Sequence, residues 1–143
     1  MLSPLLLIAG AWFVSDAREA ERAHDDAMAL WNSKEPTAYS FEYGYCSGMC
    51  MSCRARVTVE NGKVTDTAAV DPAPCSISGL PDAPTIEEVF ALEESGRSDG
   101  MTDSFEIVYD PTWGFPASVS IRCPEGTGDC GTGFGVSDFR VEP

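Results

Sequence analysis

Tyr109-Asp110-Pro111-Thr112-Trp113-Gly114-Phe115-Pro116 joins two alternating apolar runs, and how it is read decides the fold. Before it Phe105, Ile107 and Tyr109 alternate with polar residues; after it Ala117, Val119 and Ile121 do the same. A period of two places one set of side chains on a core and the other in water, so each flank reads as a half-buried strand. The residues between are turn formers. Asp110 can bond its own backbone two residues on, Pro111 presets φ, and Gly114 supplies positive φ without steric cost. The stretch therefore predicts a hairpin corner, and an antiparallel sheet around it.

Working outward, the same period recurs. Tyr39, Phe41, Tyr43 and Tyr45 alternate with Ser40, Glu42 and Gly44, and Ala55, Val57 and Val59 alternate with Arg56, Thr58 and Glu60. Asn61-Gly62 is a two-residue type I′ signal that returns the chain into Val64 to Val70. Two stretches change to helical spacing. Asp16 followed by Glu19 opens the first helix, over residues 16–33, with Ala20, Ala23, Ala27, Leu30 and Trp31 as its apolar stripe. Thr85-Ile86-Glu87-Glu88 is a capping box that opens a second, short helix buried through Ile86, Val89, Phe90 and Leu92. The prolines between Asp71 and Pro84 make an irregular crossover, and 96–103 reads as a polar, mobile segment. A final strand carries Phe134, Val136, Phe139 and Val141, with a slip of parity that predicts a bulge near Ser137 or Asp138.

With 143 residues there is room for one domain, and 43% hydrophobic content is ordinary for a folded one. The formal net charge of −14 argues against nucleic acid, whose binding rests on Lys and Arg neutralising phosphates. From Leu2 to Val14 the chain is almost uninterruptedly apolar, short for a bilayer span and suited to a signal-peptide core, with Ser15-Asp16-Ala17 offering small residues at a cleavage site. No Lys or Arg precedes the run, so the alternative is an N-terminal anchor. The expected organisation is residues 1–16 as signal peptide or anchor and 17–143 as a single disulfide-stabilised domain.

The six cysteines are the main candidates for chemistry. Cys46, Cys50 and Cys53 stand as C-x-x-x-C-x-x-C, the spacing of a cluster held by three thiolates. The segment joins two antiparallel strands of a short chain rather than lining a large barrel, which speaks against that use. Zinc is a second reading, with Cys75 as fourth ligand, but it lacks paired C-x-x-C knuckles. Disulfides are the favoured one: Cys75 with one of the loop cysteines, the other two together, and Cys123 with Cys130. Asp110, Asp129 and Asp138 are conceivable calcium ligands without EF-hand spacing. His24, the sole histidine, sits on the first helix and reads as a solvated side chain, so no nucleophile has a partner for catalysis.

Trp31 with Tyr39, a cysteine-bearing first loop, a Val-Thr-Val strand running into Asn-Gly-Lys-Val, Thr85 to Phe90, and above all Val108 to Pro116 form an ordered set. That set resembles the domain of unknown function 6174 family, small secreted or lipid-anchored bacterial proteins, over roughly Trp31 to Phe139. Its specific part here is Tyr109, Asp110, Pro111, Gly114, Phe115 and Pro116. The chain departs from the family in having three cysteines in the first loop and Cys123 where an Asp is usual. What the resemblance implies is export and an α+β arrangement, with no mechanism attached.

The expectation is thus an α+β domain: an antiparallel sheet of about six strands with two helices packed on one face. The function expected is a non-catalytic secreted or envelope binding module, with a metal-binding or thiol-active protein built on Cys46, Cys50 and Cys53 as alternative. No cofactor is expected. Its partner would be a protein or small molecule, not nucleic acid, with membrane contact only through an uncleaved N-terminal segment. All six cysteines should be oxidised in the exported protein. Alkylation of the unfolded, unreduced chain with a maleimide should add no mass, and two or more labelled thiols would refute the disulfide framework.

Overall fold

Among the described residues, nine elements follow one another in chain order. They are seen in a computed structural model, which describes residues 12–47, 53–70, 83–98, 102–123 and 131–143. They are β1 (Trp12–Val14), α1 (Ala17–Lys34), β2 (Ala38–Ser47), β3 (Cys53–Glu60), β4 (Lys63–Ala69), α2 (Ile86–Ser98), β5 (Ser104–Tyr109), β6 (Pro116–Arg122) and β7 (Gly131–Val141). All strands pair antiparallel in one sheet of order β1-β5-β6-β7-β2-β3-β4. The two halves, β2-β3-β4 and β5-β6-β7, are joined where the last strand lies beside the first meander, from Tyr39↔Val141 to Ser47↔Thr132.

One face of this sheet is the core. Tyr39, Phe41, Tyr43, Val57, Val59, Ile107, Tyr109, Val119 and Val136 are buried there, and both helices pack on that face through Ala20, Ala27, Trp31, Ile86, Val89 and Phe90. The α+β arrangement with helices on one side is therefore as expected. The seventh strand is an addition: Trp12–Val14, read from sequence within the apolar start, pairs with β5 as Trp12↔Tyr109 to Val14↔Ile107. Val14 joins the core cluster.

Local chemistry sets the boundaries. Asp16 caps α1, its Oδ1 accepting from Arg18 N at 2.7 Å. The reciprocal capping box appears at α2, where Thr85 Oγ1 accepts from Glu88 N and Glu88 Oε1 accepts from Thr85 N. Asn61 and Gly62 both have positive φ, as a type I′ turn requires. Two helical details differ from expectation. Leu92 is exposed while Glu93 takes the buried position, because an angular step of a helix carries the stripe from Val89 to Glu93. And α2 continues through Gly96 to Ser98, held by packing of Gly96 against Ile121 on β6, where a polar loop had been expected. The expected crossover 71–84 falls largely outside the described residues.

The parity slip in β7 is a one-residue bulge: Glu42 pairs with Ser137 but Ser40 with Arg140, and Asp138 adopts φ 48°.

At the hairpin corner Asp110 Oδ2 accepts from Thr112 N at 3.0 Å and Trp113 N at 2.7 Å, and Asp110 O accepts from Gly114 N at 2.9 Å. Gly114 has φ 91°, and a Cβ there would lie 2.4 Å from Ala27 O and 3.2 Å from Trp31 N. The turn is thus seated on the main chain of α1. Trp113 folds back on Phe139 with ring centres 4.9 Å apart, and Lys34 Nζ donates to Thr112 O at 2.7 Å. Gly114→Val combines a forbidden φ with a backbone clash and should cost roughly 2–5 kcal/mol in a denaturant melt, against well under about 1 kcal/mol for Thr112→Ala. Equal stability of Gly114→Val and parent would remove the seat from the account of the fold.

Candidate functional site

The motif residues all serve the corner just described: Tyr109 and Phe115 are buried, Pro116 pairs with Tyr109, and Asp110 is occupied by turn amides. Asp138 is likewise occupied, by Arg56 Nη1 at 2.8 Å and Arg140 Nη2 at 2.9 Å, while Asp129 lies outside the described residues. Among the cysteines, Cys50, Cys75 and Cys130 lie outside the described residues. Cys46, Cys53 and Cys123 are described, and none of them is free. Among the described residues no three His, Cys, Asp or Glu side chains are grouped to hold a metal ion.

His24 corrects the sequence reading. It is 5% exposed, not solvated, because Ala20, His24, Ala27 and Trp31 make the face of α1 that turns to the sheet. His24 Nδ1 lies 2.6 Å from Glu93 Oε1. Glu93 is fully buried and receives two more donors, Tyr109 Oη at 3.0 Å on the same oxygen and Arg97 Nε at 2.5 Å on the other. The ring of His24 meets the edge of Phe90. The hydrogen bond to Glu93, outweighing desolvation, raises the His24 pKa above its ordinary value. Burial, followed by the charge of Glu93, pushes the Tyr109 phenol upward as well. Chemically the group resembles an acid–base constellation, yet its members are sealed between α1, α2 and β5. It binds α1, α2 and β5 together, closed off from solvent.

A second carboxylate pair is open to solvent. Glu35 and Glu87 meet where the end of α1 nears the start of α2, in a depression of about 690 Å³ that also takes in Asn32, Lys63, Thr85 and Glu88. Hydrogen bonding to Glu87, then partial desolvation and the Glu87 charge, push Glu35 up to about 6. Glu87 also accepts from Trp31 Nε1 at 2.8 Å, which ties one of its oxygens to the core.

The third feature is the other face of the sheet, on which neither helix packs. Its outward residues along β6, β7 and β2 are small: Ser118, Ser120, Gly133, Gly135 and Gly44 line a groove of about 600 Å³ bounded by Cys46 and Arg54. Around it the charges are paired. Arg54 meets Glu42, Arg56 meets Asp138 and Glu42, Arg122 meets Glu106, and Arg140 meets Asp138. Ser40 links Arg56 to Glu142, accepting from Arg56 Nη2 and donating to Glu142 Oε2. Four of the nine basic residues of the chain thus stand on one face. Sequence reasoning had the alternation that puts them there, but not the β2–β7 pairing that assembles them.

Residues 23–141 match the family of unknown function DUF6174, and the chain belongs to that family. No curated protein matches it.

Removing the carboxylate at Glu93 would leave a buried guanidinium, an imidazole and a phenol without their shared acceptor. Glu93→Ala should therefore destabilise by roughly 3–5 kcal/mol, whereas truncating exposed Leu92 should stay within about 1 kcal/mol. Chemical denaturation of the two variants checks this, and similar losses at both sites would contradict the structural role of Glu93.

Proposed function

We propose that this member of the DUF6174 family is a non-catalytic binding domain that works outside the cytoplasm, stabilised by disulfides, with the helix-free face of its sheet as the contact surface. The observation that carries this is the charge balance of that face. A chain of net charge −14 repels acidic partners almost everywhere, yet here Arg54, Arg56, Arg122 and Arg140 offset Glu42, Glu106, Asp138 and Glu142. A polar surface can approach there without long-range repulsion, and the Ser118 and Ser120 hydroxyls offer donors and acceptors on a floor of glycines.

The occupant in this reading is a polypeptide segment of a partner protein. The groove crosses several strands, and Gly44 and Gly133 leave its floor without side chains, while Gly135 admits the main chain of β6 at Ala117. Export is supported by the apolar start Leu2 to Val14, read as an N-terminal anchor because its last three residues form β1, and by the lack of a free thiol at Cys46, Cys53 and Cys123. The absence of catalysis is supported by the burial of His24 and Glu93, the pair closest to acid–base geometry.

A photo-crosslinker placed at Ser118 in the exported protein should yield a discrete polypeptide adduct in its host. The same probe at Glu21, on the outer side of α1, should not. Ser120→Arg, which fills the groove, should abolish the Ser118 adduct while leaving the melting temperature within a few degrees. Equal adducts from both probes, or an adduct indifferent to Ser120→Arg, would overturn the assignment of the face. A small molecule retained by the parent and lost in Ser120→Arg would replace the polypeptide as occupant.

A further inference from the structure

Both ring nitrogens of His24 face carboxylates. Nδ1 is 2.6 Å from Glu93 Oε1 and Nε2 is 3.9 Å from Glu94 Oε1. A neutral imidazole has one N–H and can direct it at only one of them; the imidazolium directs one at each. Charge leads to the same form. Glu93 and Glu94 contribute two negative charges and Arg97 one positive charge, so the group is balanced only when His24 carries the second positive one.

The surroundings add little to offset this. From α2 come Glu93, Glu94 and Arg97, and from β5 comes the Tyr109 hydroxyl, which donates to Glu93. Asp25, beside His24 on α1, is exposed and acts on Tyr109. The other strands packed against the helices bring apolar Val14 and Ile121. Because His24 lies on α1 and its partners on α2, the proton it holds joins two elements separated by the whole first meander.

We infer that His24 and Glu93 form a proton-operated clasp between the two helices, closed when His24 is charged and loosened when it is neutral. The raised pKa of His24 agrees with the geometry. Its sign determines the direction of the switch. A histidine whose folded pKa exceeds its unfolded value of about 6.5 stabilises the fold fully below that value, and the contribution is lost as pH rises through the folded pKa. The helices are therefore docked most firmly in mildly acidic surroundings. Above the folded pKa, Glu93 keeps Arg97 and Tyr109, so the clasp loosens while the fold persists.

The sole histidine makes the test direct, since its ring signals need no assignment. The full chain with its cysteines oxidised is followed by NMR from pH 5 to 9, reading the His24 ring shifts and amide hydrogen exchange along α1 and α2. The expected midpoint lies above 6.5. Protection of the helix amides, corrected for intrinsic exchange, should fall several-fold across that midpoint while the β2–β3 amides hold theirs. In His24→Gln the pH dependence of helix protection should vanish. A midpoint at or below 6.5, or helix protection that falls equally in His24→Gln, would overturn the clasp. If His24→Gln does not fold, Glu94→Gln decides: a lowered His24 midpoint supports the balanced group, and an unmoved one refutes it.

Discussion

The seat of the hairpin corner on α1 is the contact on which the rest of the molecule depends. Gly114 brings the β5–β6 turn against Ala27 O and Trp31 N at a distance no side chain permits. That approach places Trp113 and Phe115 around Phe139, and Trp31 edge-on to both Tyr39 and Phe139. Aromatic rings from α1, β2, β7 and the corner thus share one cluster. Its polar rim reaches α2, because Trp31 Nε1 donates to Glu87 and Tyr39 Oη accepts from Ile86 N. Widening the seat would disturb the join of both halves of the sheet and the docking of both helices.

Polar groups divide sharply between the two faces of the sheet. On the helical side a few are fully enclosed: Glu93 gathers His24, Tyr109 and Arg97 around its two oxygens, the condition under which a buried charge is tolerated, while Arg97 Nη2 and Tyr43 Oη find no partner among the described residues. On the other side many are exposed and loosely paired, where each ion pair contributes little to stability. The enclosed set dictates how helices meet sheet. The exposed set can change in composition at little cost to stability, because the core on the other face does not depend on it.

Much of the fold was legible because its determinants are local. Asp110, Pro111 and Gly114 specify the corner within a few residues, Thr85 and Glu88 specify a helix start, and Asn61-Gly62 a turn. The His24–Glu93 pair was not, since 69 residues separate its members and acidic side chains are abundant. A signal did exist. His24 continues the Ala20, Ala27, Trp31 stripe and Glu93 continues the Ile86, Val89, Phe90 stripe, so each is a polar residue at an apolar position. Two such interruptions on facing helices point to each other. The helix-free groove was less accessible still, because it depends on β7 lying beside β2, a long-range pairing that alternation alone does not choose. The disulfide pairing remained open for the same reason: fifteen connectivities suit one spacing.

The irregular registers have a consequence for how copies of this chain behave beside one another. Among the described residues β4 is an edge strand, and it carries its own bulge: Thr58 pairs with Asp66 but Val59 with Val64, leaving Thr65 over. The β7 bulge lies three strands away at the same level, against Ser40, the residue that pairs with Thr58. The β7 bulge adds twist farther into the sheet, and the β4 bulge breaks the even row of amides that a foreign strand would need as a template at this margin. Lys63 and Asp66 add exposed charge along it, and the opposite margin, β1, is only three residues long. A sheet with one helix-free face thus offers poor templates at its margins for sideways growth into ribbons.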